Sequence, residues 1–201
     1  MKARLKCVGI LAVLLASSPT SAPGQNIQLS PAEKCRFVMT ADLADAKAPR
    51  FDEYPTATER FVPASKLNFD SDPIATTYRT ILRREMIKRP NYAGHYRVVF
   101  RGCGTSCAIF AVIDLRTGSV ITAKEFGFVS GANLLADDFL PGALTDGWGF
   151  RFKRGSSLLV VLGAPDENES KTGAYYFVLR GEGLSLVHTT IPRKDCEDAG
   201  P

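Results

Sequence analysis

The stretch Asn91–Asp114, NYAGHYRVVFRGCGTSCAIFAVID, decides the reading of the fold. Tyr96, Val98 and Phe100 alternate with Arg97, Val99 and Arg101, the period of two expected of a strand. Ala108–Asp114 is nearly all apolar, as in a strand covered on both faces. Between them, Gly102, Gly104, Thr105 and Ser106 are turn-forming residues, and Cys103 and Cys107 close the loop at both ends. The stretch is read as two strands joined by a small-residue loop.

Downstream the same pattern recurs. Asp114-Leu115-Arg116-Thr117-Gly118 is a hairpin turn, with Asp to open it and Gly118 to take positive φ, and Val120–Ala123 returns. Trp148–Lys153, Leu158–Leu162, Tyr175–Arg180 and Leu184–Thr190 are four further strands, with tight turns at Arg154-Gly155 and Gly181–Gly183. Residues 125–147, rich in Gly, Ala and Asp, read as a long surface connection, too long to be pure loop, so part of it should be ordered. The spacing of the last four strands resembles a propeller blade, without the regular repeat of a full propeller.

Upstream the signals are helical or irregular. Ser30-Pro31 and Asp72-Pro73 each place a capping residue before a first-turn proline. Ala32, Cys35, Val38 and Met39 form one short helical face. Ile74, Tyr78, Ile81 and Leu82 form another, ended by Pro90. Prolines 49, 55 and 63 break the segment between them, leaving room for a short edge strand at Arg60–Val62. The fold class is mainly β (α+β): an antiparallel β-meander of about seven strands with one or two N-terminal helices.

The first 24 residues are expected to be a signal peptide. Lys2, Arg4 and Lys6 precede an apolar stretch, Val8–Leu15, too short to span a bilayer, and Ala22 and Gly24 suit cleavage after Gly24. Residues 25–201 then form a single exported β-rich domain, periplasmic or secreted, with no transmembrane segment after cleavage. The chain of 201 residues carries 25 Lys+Arg and 21 Asp+Glu, but residues 1–24 hold three of the bases and none of the acids. The remainder is therefore near neutral, which gives no case for nucleic acid as a partner. Arg83, Arg84, Lys88 and Arg89 make the one dense basic cluster, read as a solvated helix face.

Cys7 leaves with the signal, so Cys35, Cys103, Cys107 and Cys196 remain, and an even number in an exported chain favours two disulfides. Of three pairings the favoured one is Cys103–Cys107, close in sequence, with Cys35–Cys196. The latter would close a long loop worth roughly 4–5 kcal/mol in the chain-entropy model.

The run Asn91-Tyr92-Ala93-Gly94-His95-Tyr96, followed by Gly102-Cys103-Gly104-Thr105-Ser106-Cys107, resembles a signature of uncharacterised secreted bacterial proteins: Asn-aromatic-Ala-Gly-(His or Lys)-Tyr, then Gly-Cys-Gly-Thr-x-Cys. Asp114, Thr117 and Gly118 are similar to the strand-turn ending of that family. Phe100-Arg101 stand where the family pattern has an acidic residue and tryptophan. The resemblance implies an exported domain and carries no activity with it.

Chemistry-bearing residues are few. There is no G-x-S-x-G elbow, no C-x-x-C and no H-x-x-x-H spacing, and only two histidines, His95 and His188. Asp137-Asp138 and Asp166–Glu169 are acidic loops read as solvated, and Trp148 as a core anchor. No catalytic residue, metal ligand or cofactor is assigned. The Cys103–Cys107 loop has three readings: a staple on a hairpin, a recognition loop, or a redox pair. The last is disfavoured between two strands, because redox cysteines gain their low thiol pKa at a helix start.

The function expected is a non-enzymatic binding domain that presents Gly102–Cys107 to a protein or cell-envelope partner, in an inhibitor-like manner. Asn91, His95, Gly102, Gly104, Thr105 and Ser106 are the candidate binding residues. The alternative is an envelope enzyme, thiol-disulfide or cysteine-dependent hydrolase, using Cys103 or Cys107 with His95, which must then lie beside the cysteine loop.

Overall fold

The computed structural model describes residues 37–58, 64, 66–135, 149–181 and 183–192. The readings placed on residues 1–24, Ser30-Pro31, Ala32, Cys35, Arg60–Val62, residues 136–147 with Asp137-Asp138, Trp148 and Cys196 lie outside the described residues. Within them the fold is mainly antiparallel β-sheet, with two short helices, as the period-two runs require. The strands are β1 (Val38–Met39), β2 (Tyr96–Gly104), β3 (Cys107–Asp114), β4 (Val120–Ile121), β5 (Val129–Ser130), β6 (Leu134–Leu135), β7 (Phe150–Phe152), β8 (Leu158–Pro165), β9 (Gly173–Arg180) and β10 (Gly183–Thr190). The helices are α1 (Pro73–Thr77) and α2 (Arg79–Met86). All seven strands read from the sequence are present, as β2, β3, β4, β7, β8, β9 and β10.

One eight-stranded sheet runs β10-β9-β8-β5-β3-β2, with β4 on β3 and β7 on β8. It consists of two meanders. Their junction is β5, which pairs with Cys107 and Ala108 of β3 on one side and with Ala164 and Pro165 of β8 on the other. The inward side chains of both halves meet in one core: Val98, Ala108, Phe110 and Val112 from the first, Phe150, Phe152, Leu159, Val161, Tyr175 and Phe177 from the second. The sheet is thus folded over on itself. Phe110 sits among Phe126, Phe150 and Phe177, with ring centroids 5.3–6.3 Å apart. All three pairs are tilted, with interplanar angles of 52–56°, and avoid the face-to-face sandwich that aromatic quadrupoles disfavour.

Each outer face has its own cover. Val99, Ala111 and Ile113 of the first half pack under Ala75, Leu82 and Met86 of the helices. Leu158, Val160, Leu162, Tyr176 and Val178 of the second pack under Val38, Leu43 and Phe51 of the N-terminal segment. β8 is therefore buried at every position, which explains an apolar run without alternation.

Three expectations need correction. Val38 and Met39 are not helical but form β1, parallel to Leu134 and Leu135, because the outer sheet face needs Val38 as a lid. The helix after Asp72-Pro73 is broken at Tyr78 (φ −108°, ψ 26°) and ends at Met86, not at Pro90. Of the connection read at residues 125–147, the described part, 125–135, is ordered as expected but is not at the surface: Phe126 and Val129 are core residues, and β5 joins the two half-sheets.

The helical cover is fixed at both ends. Asp72 accepts the Ile74 N–H (2.9 Å) as an N-cap and the Thr122 hydroxyl (2.6 Å) beside β4. At the far end Glu85 Oε2 accepts from Arg97 Nη2 (2.8 Å) and Nε (3.0 Å), and Oε1 from Lys88 Nζ (2.7 Å). Arg97 also donates to the Arg89 carbonyl (2.8 Å). Arg83 lies over the Phe69 ring, 4.9 Å from its centroid, and Arg84 pairs with Glu85 at 3.7 Å, so with Lys88 three members of the basic cluster have local partners.

Burial raises the pKa of Glu85, but the hydrogen bonds from Lys88 and Arg97 outweigh it, and the net direction is downward from 4.5. A depressed carboxylate adds stability above its unfolded pKa and loses it as pH falls through the folded value. Replacing Glu85 by Gln should therefore cost about 1.5–3 kcal/mol at pH 7, the range for charge-assisted hydrogen bonds. The gap between wild type and variant should close as acid is added below pH 4.5. Urea melts across pH check both the size and the sign.

Candidate functional site

The hairpin tip is built by register. β2 and β3 pair from Tyr96↔Asp114 to Gly102↔Ala108; a bulge at Cys103 then shifts the pairing to Gly104↔Cys107. Two residues, Thr105 and Ser106, make the turn, and Ser106 sits at φ +55°, a region that costs an L-residue energy. Cys103 and Cys107 are disulfide-bonded, with Cα atoms 5.2 Å apart. Arg101 through Ser106 are exposed, whereas Cys107 is buried. The tip is anchored from the side by β5: Cys107 pairs with Ser130, and the Gly131 N–H donates to the Ser106 carbonyl (2.7 Å). Gly104, Thr105 and Ser106 thus lie within one covalently closed, exposed tip beside a buried strand, and Gly102 directly precedes it on β2.

Asn91 and His95 lie elsewhere. His95 directly precedes β2 at the opposite end of the hairpin, eight residues from Cys103, which is roughly 26 Å at about 3.3 Å per residue. The chain does not double back, so the expectation that His95 lies beside the cysteine loop is corrected. Its Nε2 is 3.6 Å from Asp114 Oδ1, its ring is tilted 33° against Tyr96, and its carbonyl accepts the Leu115 N–H. Asn91 grips the strand itself: its Oδ1 accepts the Val98 N–H (2.8 Å) and its Nδ2 donates to the Val98 carbonyl (3.2 Å).

The rest of that run is a corner. Tyr92 is fully buried and donates its hydroxyl to the Ser157 carbonyl; burial drives its phenol pKa upward. Ala93 and Gly94 have φ +41° and +80°, and their N–H groups donate to Ser156 (3.3 Å) and Arg154 (2.7 Å) carbonyls. A Cβ on Gly94 would stand 2.5 Å from the Ala57 carbonyl oxygen, so only glycine fits.

His188 pairs with Asp45 (Nε2 to Oδ2, 2.8 Å), and the Thr190 hydroxyl donates to the same oxygen (3.3 Å). The Lys47 N–H first and His188 second hold the Asp45 carboxyl below its ordinary value. The ring meets Tyr176 edge-on, with centroids 5.4 Å apart, and burial pushes the pKa of that phenol up to about 12. His188 lies on β10, at the end of the sheet order opposite β2, and its ring nitrogen is engaged by Asp45. His95, at the far end of the hairpin, is not within proton-transfer reach of a cysteine sulfur. The Asp45–His188 pair was invisible in the sequence, where 143 positions separate its members.

Asp166 and Glu167 form the turn after β8, where Asp166 Oδ1 accepts the Gly127 N–H (3.1 Å), a structural use of the acidic run. Among the described residues no group of three or more His, Cys, Asp or Glu side chains is placed to hold a metal ion. Among them, too, no helix is long and apolar enough to cross a membrane. Comparison with protein-family models, with curated proteins and with solved structures gives no match.

The disulfide closes a very short loop, for which chain entropy gives about 2 kcal/mol. Replacing Cys103 and Cys107 together by Ala should lower the unfolding free energy by about that much and increase hydrogen exchange at Thr105 and Ser106. Exchange in the Asn91–Tyr96 corner, at the other end of the hairpin, should not change.

Proposed function

We propose that the protein is a non-enzymatic binding domain of the periplasm or the exterior, which presents the disulfide-closed loop Gly102–Cys107 to a macromolecular partner in an inhibitor-like manner. The observation that carries this reading is the contrast across Cys107: a buried, braced strand on one side, and on the other a turn whose residues are all exposed. A loop so held loses little conformational entropy on docking, so its amides and two hydroxyls can be spent on the partner. The alternative, a cysteine nucleophile or redox pair served by His95, has the length of the hairpin against it.

Replacing Thr105 and Ser106 together by Ala should leave the melting temperature nearly unchanged, because both side chains are exposed. Capture of a partner from cell-envelope extract by the immobilised domain should fall by about tenfold, a loss of roughly 1.4 kcal/mol. Equal capture by the two proteins would reduce the loop to a staple.

A further inference from the structure

β2 is an edge strand of the sheet, and its free edge is divided. In an antiparallel pair, alternate residues direct both backbone groups away from the neighbour. On β2 these are Tyr96, Val98, Phe100 and Gly102. The Tyr96 N–H donates to the Tyr92 carbonyl, the Tyr96 carbonyl accepts from Asn91 and Tyr92, and Val98 is held by the Asn91 amide. The outward groups of Phe100 and Gly102 have no partner among the described residues. The first half of the edge is closed by the chain itself, and nothing among the described residues closes the second half.

A shallow apolar groove flanks the open half, between the helices and the outer face of the hairpin. Ile74, Tyr78, Ile81, Val99 and Ile109 line it, with Arg101 at its rim. Arg101 is exposed and has no carboxylate within ion-pair distance among the described residues.

We propose that the edge Phe100–Gly104 receives an extended segment of a partner protein as an added strand. Phe100 and Gly102 supply the main-chain hydrogen bonds. On the outer face of the added strand, the side chain beside Val99 is aliphatic and enters the groove, and the one beside Arg101 is a carboxylate. The recognised pattern is thus an aliphatic and an acidic residue two positions apart, the spacing that one face of a strand imposes. A second copy of this chain fits less well. Two β2 edges joined about a two-fold would bring their Arg101 guanidinium groups onto one face of the joint, and like charges there repel. The inference rests on the reading of the hairpin tip as the docking end of the molecule.

The probe is the acetylated, amidated heptapeptide Thr-Val-Thr-Asp-Thr-Val-Thr, which presents the pattern in either strand direction. At saturation, hydrogen exchange at Phe100 and Gly102 should slow by about tenfold or more. Gly102→Pro removes one outward N–H without touching the ladder to β3, and should weaken the peptide while leaving the melting temperature in place. On the wild type, a Lys-for-Asp peptide should bind at least about tenfold more weakly, and Arg101→Glu should reverse that preference. No binding up to about 1 mM, binding without protection of the two amides, or an unreversed preference would each overturn the proposal. So would concentration-dependent self-association that protects the same amides without peptide, which would assign the edge to a second copy. The Thr105/Ser106 alanine variant should bind the heptapeptide normally. If it also captures envelope partner normally, the tip reading falls and the edge stands. If it loses capture while the peptide leaves Phe100 and Gly102 unprotected, the edge falls alone.

Discussion

The structure depends on one constraint: two half-sheets, each too small to bury its own inner face, must be held face to face. The clamp at one end is Tyr92–Gly94 on the Arg154–Ser157 turn, three hydrogen bonds made by residues next to each other in sequence. At the other end it is β5, sharing backbone pairs with Cys107–Ala108 and Ala164–Pro165. Between them the aromatic core around Phe110 and Phe150 closes. Removing either clamp would leave these rings facing water, and each buried large apolar side chain is worth about 1.5–3 kcal/mol. A few polar contacts therefore govern a much larger hydrophobic term.

The same constraint explains residues that would otherwise look functional. Gly163 has φ +139°, and a Cβ there would meet the Ser130 carbonyl at 2.5 Å, because β5 and β8 pack too closely for any side chain. Asn91 occupies the first half of an exposed strand edge with its own amide, which blocks uncontrolled pairing there. Both positions serve closure. Neither needs a ligand to account for it.

How much of this the sequence revealed follows from the length of each signal. The nine residues of β2 show a period of two plainly, and the eight-residue strands β3 and β9, buried nearly throughout, stand out as continuous apolar runs. The N-cap at Asp72 was equally plain, because a capping residue followed by proline is a local signal. β5 is two residues long, and no periodicity exists in two residues; only its partners, 21 and 23 positions back on β3 and 34 and 36 positions ahead on β8, define it. β1 failed for the same reason, and there Val38 and Met39 also fitted a helical face by chance. At the site, the turn and disulfide were legible from Gly102–Cys107 alone. The distance from His95 was not, since it depends on β2 running straight to its end instead of folding back.

That distance divides the Asn91–Cys107 run by physical role. Its first part is the buried corner: Tyr92 without exposure, Ala93 and Gly94 in left-handed conformations, and each backbone N–H of that pair donated to the opposite half-sheet. Its last part has the reverse character, with exposed residues, hydroxyl side chains and a covalent closure that replaces packing as the source of rigidity. A segment that needed only to connect two strands could have used a two-residue turn without cysteines. Order maintained at an exposed tip, where no core demands it, is the physical ground on which the proposed binding role rests. The edge beside it at Phe100 and Gly102, unpaired among the described residues, is where the proposed added strand would lie.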